Sequence, residues 1–206
     1  MTEELVLYTN PRSRGRIARW MLEEVGQSYH VEVVEYGPPM KSPEFLRINP
    51  MGKVPALTHG SMVVTEGAAI CAYLADAFPA AGLAPPPGSA SRAPYYRWLF
   101  FAAGPLEAAW TNQSLGVAVP EDRRSMVGYG SMADVLDTLD GVLNSVDYLA
   151  GGSFSAADVY VGAQIGFGMM FGMIDKRPSF ERYVARLDSR PAAMRAREAD
   201  GALPQK

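Results

Sequence analysis

Asn49-Pro50-Met51-Gly52-Lys53-Val54-Pro55-Ala56-Leu57, with Thr65-Glu66-Gly67-Ala68-Ala69-Ile70 shortly downstream, is the stretch on which the architecture of this chain turns. The runs 54–57 and 62–65 are strand-length and apolar, and His59-Gly60 between them signals a hairpin. Pro55 stands at the head of the first run, where it removes one ladder donor. An X-Pro bond in a folded protein is cis in about 5–6% of cases. A cis Val54-Pro55 bond would turn the Val54 N–H and C=O outward, as an edge for an extended peptide ligand; a trans proline opening an edge strand is the alternative. At the far end of the hairpin, Thr65-Glu66-Gly67 joins a strand to a helix. The helix dipole favours a carboxylate there, and the unpaired N–H groups of Gly67 and Ala68 suit a ligand carboxylate while Glu66 suits an ammonium. One turn thus offers both signs, as an α-amino acid head group requires. Glu66 as a plain first-turn charge is the competing possibility.

Upstream, 5–9 (LVLYT) reads as a buried strand ending at the Asn10-Pro11 turn signal. Residues 14–25 carry Ile17, Met21, Leu22 and Val25 at helical spacing, and Gly26 stops the helix. A second strand is predicted over 29–36 and a short helix over 42–46, with Pro43 just after Ser42. Ile70, Leu74 and Phe78 give 67–78 one apolar stripe. The order is strand, helix, strand, short helix, hairpin, helix. Composition then shifts: 79–94 holds five prolines, two glycines and one charge, too proline-rich for an element interior. Beyond it every pattern is helical: 93–111, 121–149, 156–174, 179–187 and 192–199. The expected organisation is a small α/β domain over 1–79, a linker over 80–92 and an all-helical domain over 93–206.

With 206 residues, 48% apolar and 20% charged, the chain is long enough to bury a core without disulfides or metals. A net charge of −3 argues against a protein held to nucleic acid by phosphate contacts. The single cysteine, Cys71, excludes a disulfide framework, a CxxC redox pair and a cysteine zinc site. It suits a cytoplasmic setting and reads as a small buried apolar residue. His30 and His59 have no metal-ligand partners at useful spacing. MTEELVLYT lacks the basic region and apolar core of a signal peptide. The longest charge-free apolar stretch, 159–174, falls short of the ~18–20 residues of a membrane span.

The order βαβαββα, Pro43-Glu44-Phe45-Leu46 with the 49–57 run, and Thr65-Glu66-Gly67-Ala68-Ala69-Ile70 with Tyr73-Leu74 resemble the cytosolic glutathione transferase family. Past the linker, Phe154-Ser155-Ala156-Ala157-Asp158 resembles the capping motif of that family's helical domain. There Ser155 caps a helix, Asp158 returns a bond to the Ser155 N–H, and Phe154 staples onto Val159. The resemblance implies a thioredoxin-like α/β domain followed by an all-α bundle, glutathione as co-substrate with no covalently bound cofactor, a small hydrophobic electrophile as second substrate, and a homodimer. It implies that Val54 pairs its main chain with the cysteinyl unit, that Pro55 is cis, that Glu66 and the Gly67 N–H take the γ-glutamyl head, and that Lys41 and Lys53 meet the glycine carboxylate. The family usually has serine where Gly67 stands, so one hydroxyl donor is missing here.

The resemblance also implies a hydroxyl that steadies the thiolate. Ser13 stands in the loop before the first helix, where serine-type members keep theirs; Tyr8 keeps the tyrosine-type spacing to Arg19-Trp20. Ser13 is favoured. Cysteine-type chemistry is excluded, because Ser13-Arg14 occupies that place. Phe101, Trp110, Met169, Met170 and Phe171 are candidates for an apolar wall and equally for helix core. The alternatives to conjugation are a glutathione-dependent peroxidase or disulfide reductase on the same scaffold, or a non-catalytic binding protein.

Overall fold

β1 (Leu5–Thr9) alternates buried and half-buried side chains, so Leu5, Leu7 and Thr9 face one layer and Val6 and Tyr8 the other. β2 (His30–Val33) runs parallel to β1 in the register Tyr8↔Glu32, and β3 (Ala56–His59) runs antiparallel to it with Tyr8 opposite Ala56. β4 (Met62–Thr65) closes a mixed sheet of order β2-β1-β3-β4. A computed structural model describes residues 3–201, and this sheet belongs to the first of its two compact units, 3–83 together with 189–201.

α1 (Gly15–Val25) and α3 (Gly67–Ala77) cover the Leu5/Leu7 face. Leu7, Ile17, Met21, Leu22, Leu57, Ile70 and Leu74 are fully buried there, each worth about 1.5–3 kcal/mol of burial. The opposite face carries a smaller cluster. Val34, Met40 and Phe45, the last from α2 (Pro43–Ile48), pack with Tyr8, Ile48 and Val54. Ser42 caps α2 by accepting from the Phe45 N–H at 3.2 Å. β2 is shorter than the predicted 29–36: the Val34 N–H still reaches the Thr9 carbonyl at 2.8 Å, then Gly37 at φ 95° turns the chain. β3 begins at Ala56, after Pro55, which has no N–H to give the ladder.

α9 (Pro191–Asp200) lies along α1 within this unit, whereas the sequence pattern grouped it with the helices after the linker. Charge pairs hold it: Arg190 binds both Glu24 oxygens at 2.7 Å, Arg195 meets Glu23 at 2.8 Å, and Arg19 meets Asp200 at 2.6 Å.

The second unit, Ala84–Asp188, is helical. The predicted helix 93–111 is two helices, α4 (Arg92–Phe101) and α5 (Glu107–Ser114), joined by a π-turn over Ala102–Leu106 that contains Pro105. A proline cannot donate the bond a continuous α-helix needs at that point. The predicted helix 121–149 is also broken. A 3₁₀ turn spans Glu121–Met126, Gly130 adopts φ 66°, and α6 (Met132–Leu143) starts only after Ser131 accepts from the Asp134 N–H at 3.1 Å. α7 (Ala156–Met170) is the centre of the unit, and α8 (Pro178–Asp188) packs on it so closely that a Cβ on Gly162 would stand 2.1 Å from Leu187. Asp158 anchors the start of α7: its carboxylate accepts from Ser155 N–H at 2.9 Å, Leu149 N–H at 2.8 Å and the Tyr183 hydroxyl at 2.8 Å. The return bond to Ser155 matches the capping motif; Phe154 stands edge-on to Tyr148. Among the described residues no helix is long and apolar enough to cross a membrane.

Candidate functional site

The strand register brings three segments to one end of the sheet. β1 ends there, β3 begins there and β4 ends there, because Tyr8 pairs with Ala56 and Ala56 pairs with Thr65. The loop carrying Ser13, the Val54-Pro55 bond and the Glu66-Gly67 junction therefore converge. Val54-Pro55 is cis. Among the described residues the Val54 N–H and C=O have no hydrogen-bond partner, so both stand available at the sheet margin. Glu66 is the one described non-glycine residue with positive φ, at 68°, and its carbonyl accepts from the Ile70 N–H at 2.9 Å. The first N–H groups of α3, those of Gly67 and Ala68, precede that bond and are not used within the helix. Glu66 is exposed and Gly67 half-buried.

The β1–α1 loop is built around Asn10, 1% exposed. Its side-chain amide donates to the Val34 carbonyl at 3.1 Å, and its side-chain oxygen accepts from the Arg12 N–H at 3.0 Å. Ser13 closes the turn: its hydroxyl donates to the Asn10 carbonyl at 2.7 Å and accepts from the Gly15 N–H at 2.9 Å. The Ser13 hydroxyl thus takes the first N–H of α1 from one position outside the cap residue, Arg14. Tyr8 leans on Phe45 with ring centroids 6.1 Å apart, in the cluster that also holds Val54. Among the described residues its phenol has no hydrogen-bond partner.

The 49–53 turn repeats the design. Asn49, 3% exposed, accepts from the Met51 N–H at 3.0 Å and donates to the Lys53 carbonyl at 2.8 Å, which sets the chain entering Val54. Gly52 sits at φ 58°, with the Met40 carbonyl 2.4 Å from where a Cβ would be, so only glycine fits. Lys41 donates from Nζ to the Met51 carbonyl at 2.8 Å, and Met40 lies buried beneath. Lys41 and Lys53 are both exposed. His59 bonds the Tyr73 hydroxyl at 2.8 Å and His30 lies 3.4 Å from Glu4, both at the other end of the sheet. Among the described residues no group of three His, Cys, Asp or Glu side chains is placed to hold a metal ion.

Residues 3–76 match the family described as glutathione S-transferase, N-terminal domain. The chain is 31% identical over 160 residues to a glutathione S-transferase of Xanthomonas campestris, covering 75% of this chain and 78% of that protein. The chain belongs to the glutathione transferase family. Solved structures of glutathione transferases agree along almost the whole length. One from Methylococcus capsulatus has TM-score 0.80 and 30% identity, covering 95% of this chain and 98% of that one. A sphingomonad enzyme complexed with glutathione has TM-score 0.78 and 30% identity, covering 96% and 100%. Within this glutathione transferase, Asn10 and Asn49 are organising residues that sequence reasoning missed. Each precedes a proline, and the paired Asn-Pro signals at both site loops were the available cue.

Proposed function

We propose that this glutathione transferase lays glutathione across the β1–β3–β4 end of its sheet and adds the glutathione sulfur to small apolar electrophiles. The carrying observation is the Val54 main chain, without a hydrogen-bond partner among the described residues, between the Ser13 loop and the Glu66-Gly67 junction. Adjacent strands lie about 4.8 Å apart, so β1 to β4 is about 10 Å, close to the reach of an extended tripeptide. The γ-glutamyl head meets Glu66 through its ammonium and the Gly67 and Ala68 N–H groups through its carboxylate. The cysteinyl unit pairs with Val54, and the glycine carboxylate lies toward Lys41 and Lys53.

Ser13 is the residue assigned to the sulfur. Its hydroxyl is far less acidic than a thiol, so it acts as a donor to the thiolate. The Gly15 N–H on its oxygen polarises it, and a thiolate outcompetes the neutral Asn10 carbonyl for its proton because charge-assisted bonds are about twice as strong. Lowering a thiol pKa from ~8.5 to ~6.5 requires about 2.7 kcal/mol. That raises the thiolate fraction at pH 7 about 25-fold, and reduced basicity takes back most of a tenfold. Positioning the electrophile supplies the remaining rate. Tyr8 supports a second assignment, because its phenol has no hydrogen-bond partner among the described residues and it shares a cluster with Val54.

A homodimer and a cytoplasmic setting complete the proposal. Exposed apolar Met51, Met62 and Val63 support the first, and a lone cysteine the second. The deciding experiment is the thiolate absorbance of bound glutathione against pH. Ser13→Ala should move the midpoint upward and Tyr8→Phe should leave it. The opposite pattern transfers the role to Tyr8, and no glutathione binding at millimolar ligand overturns the proposal.

A further inference from the structure

We propose that Arg16 is a positioning residue that clamps the Ser13 loop to the end of α9, so that the C-terminal segment of the chain sets the geometry of thiol activation. The inference rests on the glutathione-site proposal above. Arg16 stands in the first turn of α1. Its guanidinium donates from Nη1 to the Pro11 carbonyl at 3.1 Å and from Nη2 to the Gly201 carbonyl at 2.9 Å. One planar fork therefore joins the loop before α1 to a carbonyl 185 positions beyond Arg16 in sequence.

The Pro11 carbonyl lies inside the turn that carries the hydroxyl's acceptor. Asn10, just before it, provides the carbonyl that Ser13 bonds; Arg12, just after it, is tied to the Asn10 side chain. The loop is thus pinned to Val34, just past β2, through Asn10 on one side, and to Gly201, just past α9, through Arg16 on the other. The second anchor is only as firm as α9 itself, which the Arg19–Asp200, Arg190–Glu24 and Arg195–Glu23 pairs hold on α1. The charged groups facing Arg16 are Asp200, Arg19 and Arg197. Lysine keeps the charge at position 16 but presents a point donor, which cannot bridge two carbonyls as a rigid fork does.

The test is the pH titration of bound glutathione thiolate, with thermal unfolding in parallel, for Arg16→Gln, Arg16→Lys, Ser13→Ala and Arg195→Ala. Arg16→Gln loses a cation and a clamp, and should leave about tenfold less thiolate at a pH below the midpoint. Arg16→Lys loses the clamp alone and should leave roughly threefold less. In both, kcat/KM should fall with the thiolate fraction while KM for glutathione stays within about twofold. Arg195→Ala removes one of the three α1–α9 pairs and leaves the Arg16 fork intact, so it should lower the melting temperature while displacing the titration clearly less than Arg16→Lys does. Wild-type titration in both Arg16 variants, with Ser13→Ala displaced, overturns the clamp and leaves the site proposal standing. A displacement in Arg195→Ala equal to that in Arg16→Lys also overturns it, since general loosening would then suffice. An unmoved Ser13→Ala removes the hydroxyl assignment instead, and an Arg16 effect that persists there supports a clamp acting through the α1 N–H groups.

Discussion

Arg19→Met should cost about 3–5 kcal/mol of stability, and adding Asp200→Leu should return most of it. The two side chains are 9% and 1% exposed and meet at 2.6 Å. At an effective dielectric of about 20, that separation gives roughly 6 kcal/mol of attraction, against several kcal/mol of desolvation for each ion. The intact pair is therefore close to neutral for stability, while either partner alone is a buried charge without its counterion. Asp200 depends on Arg19 heavily, because its second oxygen, Oδ2, has no hydrogen-bond partner among the described residues. Arg16 also faces Asp200 and holds the loss toward the lower end of the range. pH gives an independent check. Burial already raises the Asp200 carboxyl above its ordinary range while Arg19 opposes it, so removing Arg19 raises it further. A carboxyl whose folded pKa exceeds its unfolded value loses stability as pH rises through the folded pKa. The deficit of Arg19→Met should therefore be largest near pH 7–8 and shrink toward pH 4. Urea unfolding of the four proteins of the cycle at two pH values measures this. A loss below about 1 kcal/mol for Arg19→Met, or a double variant as unstable as the sum of the singles, would refute the reasoning.

Two further outcomes are expected. Gly15→Ala should destabilise by about 2–3 kcal/mol, since its Cβ would stand 1.9 Å from Thr9 Oγ1 and 3.0 Å from Ser13 Oγ; Thr9→Ala should rescue most of the loss in calorimetry, and strict additivity would mean that the contact is not tight. Gly67→Ser should tighten glutathione binding about 2–10-fold in titration calorimetry by restoring one hydroxyl donor, and an unchanged affinity would unseat the head-group assignment.

The strands and the hairpin were legible because period-two patterns and Asn-Pro or His-Gly turns are local signals. The α4–α5 pair was not: Pro105 sits inside a π-turn, and the apolar spacing on either side reads straight through it. The break before α6 was missed for a different reason: apolar Met126 and Met132 flank it on either side, and a count of apolar residues does not report the φ of 66° at Gly130. The placement of α9 depends on which acid each arginine meets, a long-range pairing that periodicity does not encode. Val54, Pro55, Glu66 and Gly67 were recognised from motif resemblance, and register explains why they converge. Asn10 and Asn49 escaped notice because a buried organising asparagine and a surface turn asparagine look alike in one sequence. The choice between Ser13 and Tyr8 turns on where each hydroxyl proton points, and no residue pattern carries that.

Cys71 lies wholly out of solvent on α3, and burial pushes its thiol far above the ordinary cysteine range. Only a thiolate attacks electrophiles or oxidants at a useful rate. The chain's sole sulfhydryl is thereby chemically silent, and the reactive sulfur in the protein's neighbourhood is the one glutathione brings. A catalyst arranged this way escapes alkylation by the very compounds it processes, and it can be regenerated simply by exchanging product for fresh glutathione.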